Sequence, residues 1–335
     1  MIDTAILVAV GIGLALAFDF GNGRNDAANA VSTIVATRVL SLEAAVFLSA
    51  FFNFVAAFIF STAVAATVGK GIVDPGAINA YVVICALLSA IIWIYGLAWL
   101  GIPISSSHSL IGGLIGATIA AAGLGAVNFG GVATIVAFIF VAPLLGMLFS
   151  YLFSLLVFFI VKRTPPSLVQ GYFRKLQLIS VSVLSLGHGS NDAQKTIGIV
   201  SLLLFIGGFS GKTFNIPWWV IIMSYLTIAL GTLIGGRNIV KTMATKITKL
   251  RPIDGFCAET AGAASVIGCS IFGIPVSTTH VISGAISGVG VMKRSTAVNW
   301  NVARRIVMAW FLTIPLTAIA AALIYYVVAF IAGLF

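Results

Sequence analysis

Charge is what this sequence has least of. Only 8% of its 335 residues are Asp, Glu, Lys or Arg, while 60% are hydrophobic; a soluble domain carries about 25% charged residues. Such a chain cannot cover itself with a polar exterior, so a soluble globular fold is excluded and the solvent is lipid. Cysteine is also scarce. Cys85, Cys257 and Cys269 lie in apolar sequence without CxxC spacing, which reads as buried free thiols. With little sulfur and only three histidines, the chain offers no transition-metal ligand set. The glycine-rich stretch Gly21–Asp26 has neither a βαβ unit around it nor a GK[ST] ending, which argues against nucleotide binding and ATP-driven work there. No nucleophile–base spacing supports an enzyme. The start Met1-Ile2-Asp3-Thr4 lacks a basic leader and Phe18-Asp19-Phe20 is no small-residue cleavage site, so the first apolar stretch reads as a retained span.

Long apolar runs are abundant. Ile2–Phe20, Leu42–Val68, Ala77–Leu100, Val132–Val161, Ile216–Gly235 and Ile306–Phe335 approach or exceed the roughly 20 residues that cross a bilayer. Gly101–Ala122, Gly187–Phe209 and Phe256–Val291 are dense in Gly, Ser and Thr and read as helices that break or turn back. The expected fold is an all-α polytopic membrane protein with about 10–12 membrane elements. The net charge of +10 does not point to nucleic acid. It collects in three segments, Lys162–Lys175, Arg237–Arg251 and Lys293–Arg305, which the positive-inside rule places in the cytoplasm. Lys70 and Lys212 read as solvated or lipid-edge charges.

The chain says one thing twice. Gly21-Asn-Gly-Arg-Asn-Asp-Ala-Ala-Asn-Ala returns 166 residues later as Gly187-His-Gly-Ser-Asn-Asp-Ala-Gln-Lys-Thr. Gly101-Ile-Pro-Ile-Ser-Ser-Ser-His returns 172 residues later as Gly273-Ile-Pro-Val-Ser-Thr-Thr-His. Two matches in one order mean an internal duplication. Residues 1–161 form the first transmembrane repeat, 162–175 a basic cytoplasmic linker, and 176–335 the second repeat. An odd number of crossings per half would make the repeats inverted. Transporters built this way place their sites at the repeat interface, on broken helices.

In the first motif, glycines beside Asn predict an unwound backbone, tolerated at membrane depth only where protein or a polar cavity surrounds it. Asp26 and Asp192 then become costly intramembrane charges, which mark function. The plainer alternative is a surface loop with Asp as a helix N-cap. Asn22, Asn25, Asp26 and Asn29 with Asn191 and Asp192 form an oxygen-rich cage suited to a hard cation such as Na⁺.

In the second motif, Pro103 and Pro275 interrupt the preceding helix. The hydroxyl runs Ser105-Ser106-Ser107 and Ser277-Thr278-Thr279 follow, where Ser and Thr favour helix N-caps. A helix N-terminus with free N–H groups is an anion site, and two could face one tetrahedral anion. Packing of small-residue helices is the competing reading. His108 and His280 either bond nearby backbone or relay protons.

At these residues the sequence resembles the inorganic phosphate transporter (PiT) family. Its Gly-x-Asn-Asp-x-Ala-Asn signature is matched at Gly23–Asn29 and more loosely at Gly189–Lys195. Its Pro-x-Ser-[Ser/Thr]-[Ser/Thr]-His segments are matched at Pro103–His108 and Pro275–His280, and residues 239–259 are also similar. The resemblance implies a bundle of two inverted repeats with re-entrant hairpins, phosphate as substrate, symport with Na⁺ or H⁺, and a homodimer in the cell membrane. Na⁺ is the co-transported ion and no cofactor is implied. Sulfate on the same scaffold and an anion channel are the alternatives. A divalent phosphate beside Asp26 and Asp192 would suffer repulsion of about several kcal/mol at an effective ε near 20, which an intervening cation removes. Gln194 and Lys195 replace the first half's Ala28 and Asn29; the cage is therefore asymmetric, and Gln194 becomes a donor to the anion. Asn25 and Asn191 are candidates for either ion. Glu259, in an apolar stretch, is a coupling or structural carboxylate. Glu43 suits the electrostatics of a helix start.

Overall fold

The computed structural model describes residues 3–211 and 213–333. Lys212, Ile2 and Phe335, which entered the sequence reading, lie outside the described residues. Among these, twelve α-helices form and no extended strand: α1 (Thr4–Ala36), α2 (Leu42–Val55), α3 (Ala63–Lys70), α4 (Ala80–Trp99), α5 (Ser106–Ala122), α6 (Phe129–Val161), α7 (Pro166–Ile206), α8 (Trp218–Ile234), α9 (Arg237–Lys246), α10 (Pro252–Ile271), α11 (Thr278–Lys293) and α12 (Trp300–Ala332). Local sequence sets many of the starts. Asp3, Ser41, Asn79, Asn128 and Asn299 each accept an N–H of the following turn, satisfying donors that a helix leaves open. Pro166 and Pro252 occupy the first helical position, where a missing N–H costs nothing. Glu43 falls in the first turn of α2, behind the Ser41 cap.

Among the described residues, four helices are long and apolar enough to cross a bilayer: α1, α4, α6 and α12. α6 and α12 turn stripes of Phe140, Leu144, Leu148 and Leu152, and of Leu312, Leu316, Ile319 and Leu323, outward. Spacings of three and four residues make each stripe one helix face, and lipid is the solvent that such a face fits. The chain is an all-α polytopic membrane protein. The apolar run Leu42–Val68, expected as one span, is instead α2 and α3 bent by 83°. The 162–175 segment is a turn only between Val161 and Pro166, where α7 starts.

The order of elements in α1–α6 recurs in α7–α12, and the two sets interlock. α1 packs on α8 as α7 packs on α2; α9 lies on α1 as α3 lies on α7; α5 lies on α12 as α11 lies on α6. The last pair is held by backbone proximity. A Cβ at Gly116 would stand 2.0 Å from the Ala318 carbonyl, and one at Gly284 would stand 2.1 Å from that of Pro143. Small residues allow such approach between membrane helices, where dispersion replaces the hydrophobic effect.

Basic segments gather at one end. Lys293 donates to the Lys249 carbonyl at 3.1 Å and pairs with Asp254, which Arg251 also meets at 3.2 Å. The Arg251 guanidinium lies over Phe158, near the end of α6, and Arg174 donates to the Arg38 carbonyl.

Candidate functional site

The two repeated motifs meet in the middle of the protein. Contrary to the sequence expectation, the first motif is not unwound: Gly21 to Asn29 lie inside the continuous helix α1, and Gly187 to Lys195 inside α7. Neither motif contains a positive φ. The glycines serve close approach instead. A Cβ at Gly23 would be 2.2 Å from the Ile228 carbonyl, and one at Gly189 would be 2.6 Å from that of Asn53. Continuous helices thus present Asn and Asp from one face, and the neighbouring helices come close enough to bury them.

The second motif does break the chain. α4 ends at Trp99, Gly101 takes φ +67°, and α5 starts at Ser106; in the other half α10 ends at Ile271, Gly273 takes φ +68°, and α11 starts at Thr278. Ser105 and Ser277 are the N-caps, accepting from the N–H of His108 and of His280. The tips are held reciprocally. Thr242 of α9 donates to the Gly101 carbonyl, and Thr67 of α3 donates to that of Gly273.

Asp26 is 2% exposed and sits where the α1 motif, α5 and α11 converge. Its carboxylate accepts from Asn25 Nδ2 at 2.9 Å, Ser106 Oγ at 2.6 Å and Thr279 Oγ1 at 3.4 Å. Ser106 also contacts the Asn22 carbonyl oxygen, and Asn29 donates to Thr279 at 2.8 Å and Thr278 at 3.3 Å. The α7 motif supplies the other wall. Asp192 accepts from Thr278 at 3.2 Å, has His188 Nε2 at 3.1 Å, and pairs with Lys195. Lys195 Nζ also donates to Ser107 and to the Val276 carbonyl. Asp26, His188 and Asp192 each bring one ligand atom within 4.8 Å of the others. These side chains are all buried, so uncompensated charge here is expensive.

Other named residues serve the frame. Gln194 caps α3 through its carbonyl oxygen, accepting from Val64 and Ala65, while its amide donates to Ser190. Asn191 donates to Ser270 and the Ile274 carbonyl and accepts from the Val276 N–H, which clamps the turn before α11. The rings of His108 and His280 meet edge-on with centroids 4.7 Å apart, and His280 stacks on Trp310. Glu259 lies in a separate buried cluster, accepting from Thr33, Gln177 and Ser180. It ties α1, α7 and α10 together.

Sequence reading passed over His188, Asn53, Asp19 and the role of Lys195. Asn53 Oδ1 lies 3.1 Å from His188 Nδ1. Asp19 is fully buried on α1, beside Thr196 of α7, and an acidic residue inside a retained span was the signal that could have found it. A cavity of about 270 Å³ reaches Asn25 from the surface, lined also by Arg24, Tyr95 and Asn238. Arg24 is exposed there and makes the mouth attractive to anions.

Comparison with known proteins agrees with this architecture. The chain is 49% identical over 315 residues, 94% of each protein, to a "Probable low-affinity inorganic phosphate transporter" of Rhizobium meliloti. A protein of the same description in Bacillus subtilis is 40% identical, over 93% of this chain and 94% of that one. Among solved structures, "The sodium-dependent phosphate transporter" superposes with a TM-score of 0.87 at 27% identity, covering 97% of this chain and 100% of the other. The phosphate transporter family model matches residues 22–321. The chain belongs to the phosphate transporter family, and it is a membrane transporter, not an enzyme.

Proposed function

We propose that this chain imports inorganic phosphate across the cell membrane by symport with Na⁺, through alternating access of its two repeats. The observation that carries the reading is the meeting of Asp26, Asp192 and both hydroxyl runs in one buried cluster. A carboxylate repels an anion, so anion and carboxylates share a dry site only when a cation lies between them. Asp26, its neighbours Asn22 and Asn29, and the Thr279 hydroxyl offer that cation oxygen ligands. Ser106, Ser107, Thr278 and the free N–H groups at the starts of α5 and α11 offer the anion donors. Ser105 and Ser277 support this from behind as caps.

Binding by neutral donors, with charge balanced by a mobile ion, lets the anion leave again. The reciprocal packing of α5 on α12 and of α11 on α6 gives the repeats equivalent roles. An inverted arrangement of those roles makes the two broken-helix tips opposite gates, one held by α9 and the other by α3. The Arg24 mouth is then the vestibule of the open side. A homodimer, with basic segments toward the cytoplasm, completes the reading.

Uptake of labelled phosphate by proteoliposomes tests it, with an inward Na⁺ gradient and excess sulfate as competitor. Sodium-dependent uptake that sulfate does not block is expected. Sulfate uptake in its place would overturn the substrate, and phosphate uptake that follows an H⁺ gradient alone would overturn the coupling ion.

A further inference from the structure

The duplication yields two copies of a small oxygen trio, each taking its carboxylate and carbonyl from one half and its hydroxyl from the other, and the two copies are filled differently. In the first, Thr279 Oγ1 is 3.4 Å from Asp26 Oδ1 and 3.1 Å from the Ile104 carbonyl. The corresponding atoms of the second copy are Asp192 Oδ1, the Val276 carbonyl and Ser107 Oγ. Asp192 lies 166 residues from Asp26; Ile104 and Val276, like Ser107 and Thr279, are 172 apart.

All three atoms of the second trio are bonded by one atom, Lys195 Nζ. It lies 2.8 Å from the Val276 carbonyl and contacts Asp192 and Ser107 directly. Lys195 is 1% exposed and stands where the first repeat has Asn29. The Asn29 amide turns to Thr278 and Thr279 instead, and among the described residues no ammonium enters the first trio.

A carboxylate, a backbone carbonyl and a hydroxyl are the hard oxygen donors that an alkali cation takes. An ammonium carries the same single charge and has three donors for three oxygens. We infer that Lys195 is a tethered counter-cation. It permanently fills one of two quasi-equivalent cation positions, so a cation from solution is needed only at the Asp26 trio. The inference rests on the proposed cation coupling at Asp26.

A plain i, i+3 ion pair stiffening α7 would explain the contact with Asp192 alone. The bonds to Ser107 and Val276 reach both broken-helix segments, which an intrahelical pair has no need to do. Lys195 therefore acts where the anion is proposed to bind, and it supplies positive charge that Asn at this position would leave to a second mobile ion.

Replacing Lys195 by Asn restores the first-repeat residue and empties the second trio. Dual-label uptake of ²²Na⁺ and ³²P-phosphate in proteoliposomes should then count one more Na⁺ per phosphate than in the unmodified chain. Uptake lost at low sodium should return at high sodium. The same ratio in both proteins overturns the inference, as does an inactive Lys195→Asn that high sodium fails to rescue while its unfolding temperature is unchanged. Should that variant not fold, equilibrium ²²Na⁺ binding with phosphate present decides the matter. Asp26→Asn should remove bound sodium and Asp192→Asn should not; equal losses overturn it. No sodium dependence in the unmodified chain would instead bring down the coupled-transport reading itself.

Discussion

Asp26 is the residue on which the site converges, because its carboxylate takes donors from Asn25, Ser106 and Thr279. Asp26→Asn keeps the shape but sets an amide against those donors and removes the charge that holds a cation. Loss of a buried charged partner costs about 2–5 kcal/mol; phosphate uptake should fall by about 30-fold or more, measured as initial rate at saturating sodium. Glu259 predicts a different outcome. Its carboxylate accepts from three side chains on two other helices, and Glu259→Ala leaves those groups buried without their acceptor. A cost of about 2–4 kcal/mol is expected, read as a fall in the unfolding temperature in detergent, with Glu259→Gln intermediate.

At this scale the sequence was legible where chemistry sits on side chains and repeats. Asp26, Asp192 and the hydroxyl runs stood out because they occur twice at nearly constant spacing. The carbonyls of Ile104 and Val276 did not, since any residue carries one. Lys195 was visible as a departure from the first half, but its contact with Ser107, 88 positions away in sequence, has no local signature.

Helices carry the next layer of the account. Gly23 and Gly189 let α1 and α7 run continuously while neighbouring backbone closes over them. Gly23→Ala would put a Cβ 2.2 Å from a carbonyl oxygen of α8. Backbone has to move to relieve that contact, at a cost of about 1–3 kcal/mol or more. The variant should lower thermal stability, and Gly13→Ala, with nothing within 4 Å of its new Cβ, should not. The caps predict a smaller effect: Ser277→Ala removes the acceptor for the His280 N–H and should cost about 1 kcal/mol.

The breaks before α5 and α11 were legible, marked by Pro103 and Pro275 and by the hydroxyl runs that follow them. The continuity of α1 and α7 was not. Glycine beside Asn permits unwinding and close packing equally, and the partner that decides, Ile228, is distant in sequence. The bend between α2 and α3 was also hidden, because one apolar run looks the same straight or folded. Past the bend, the start of α3 is held from α7, where Gln194 caps it.

For the whole molecule, membrane residence followed from the lack of charge, and two repeated motifs raised the expectation of a duplication. The exchange of partners between halves, with α5 on α12 and α11 on α6, needed three dimensions. It brings a broken-helix segment of each half to the buried carboxylates, with α5 meeting Asp26 and α11 meeting both Asp26 and Asp192. The central claim is that phosphate moves uphill only when a cation moves downhill through that site. Proteoliposomes loaded with phosphate at the external concentration, then given an inward Na⁺ gradient, test it directly. Accumulation above the starting level, abolished by a sodium ionophore and by Asp26→Asn, is the result predicted here. Phosphate that merely equilibrates, with or without the gradient, would contradict it.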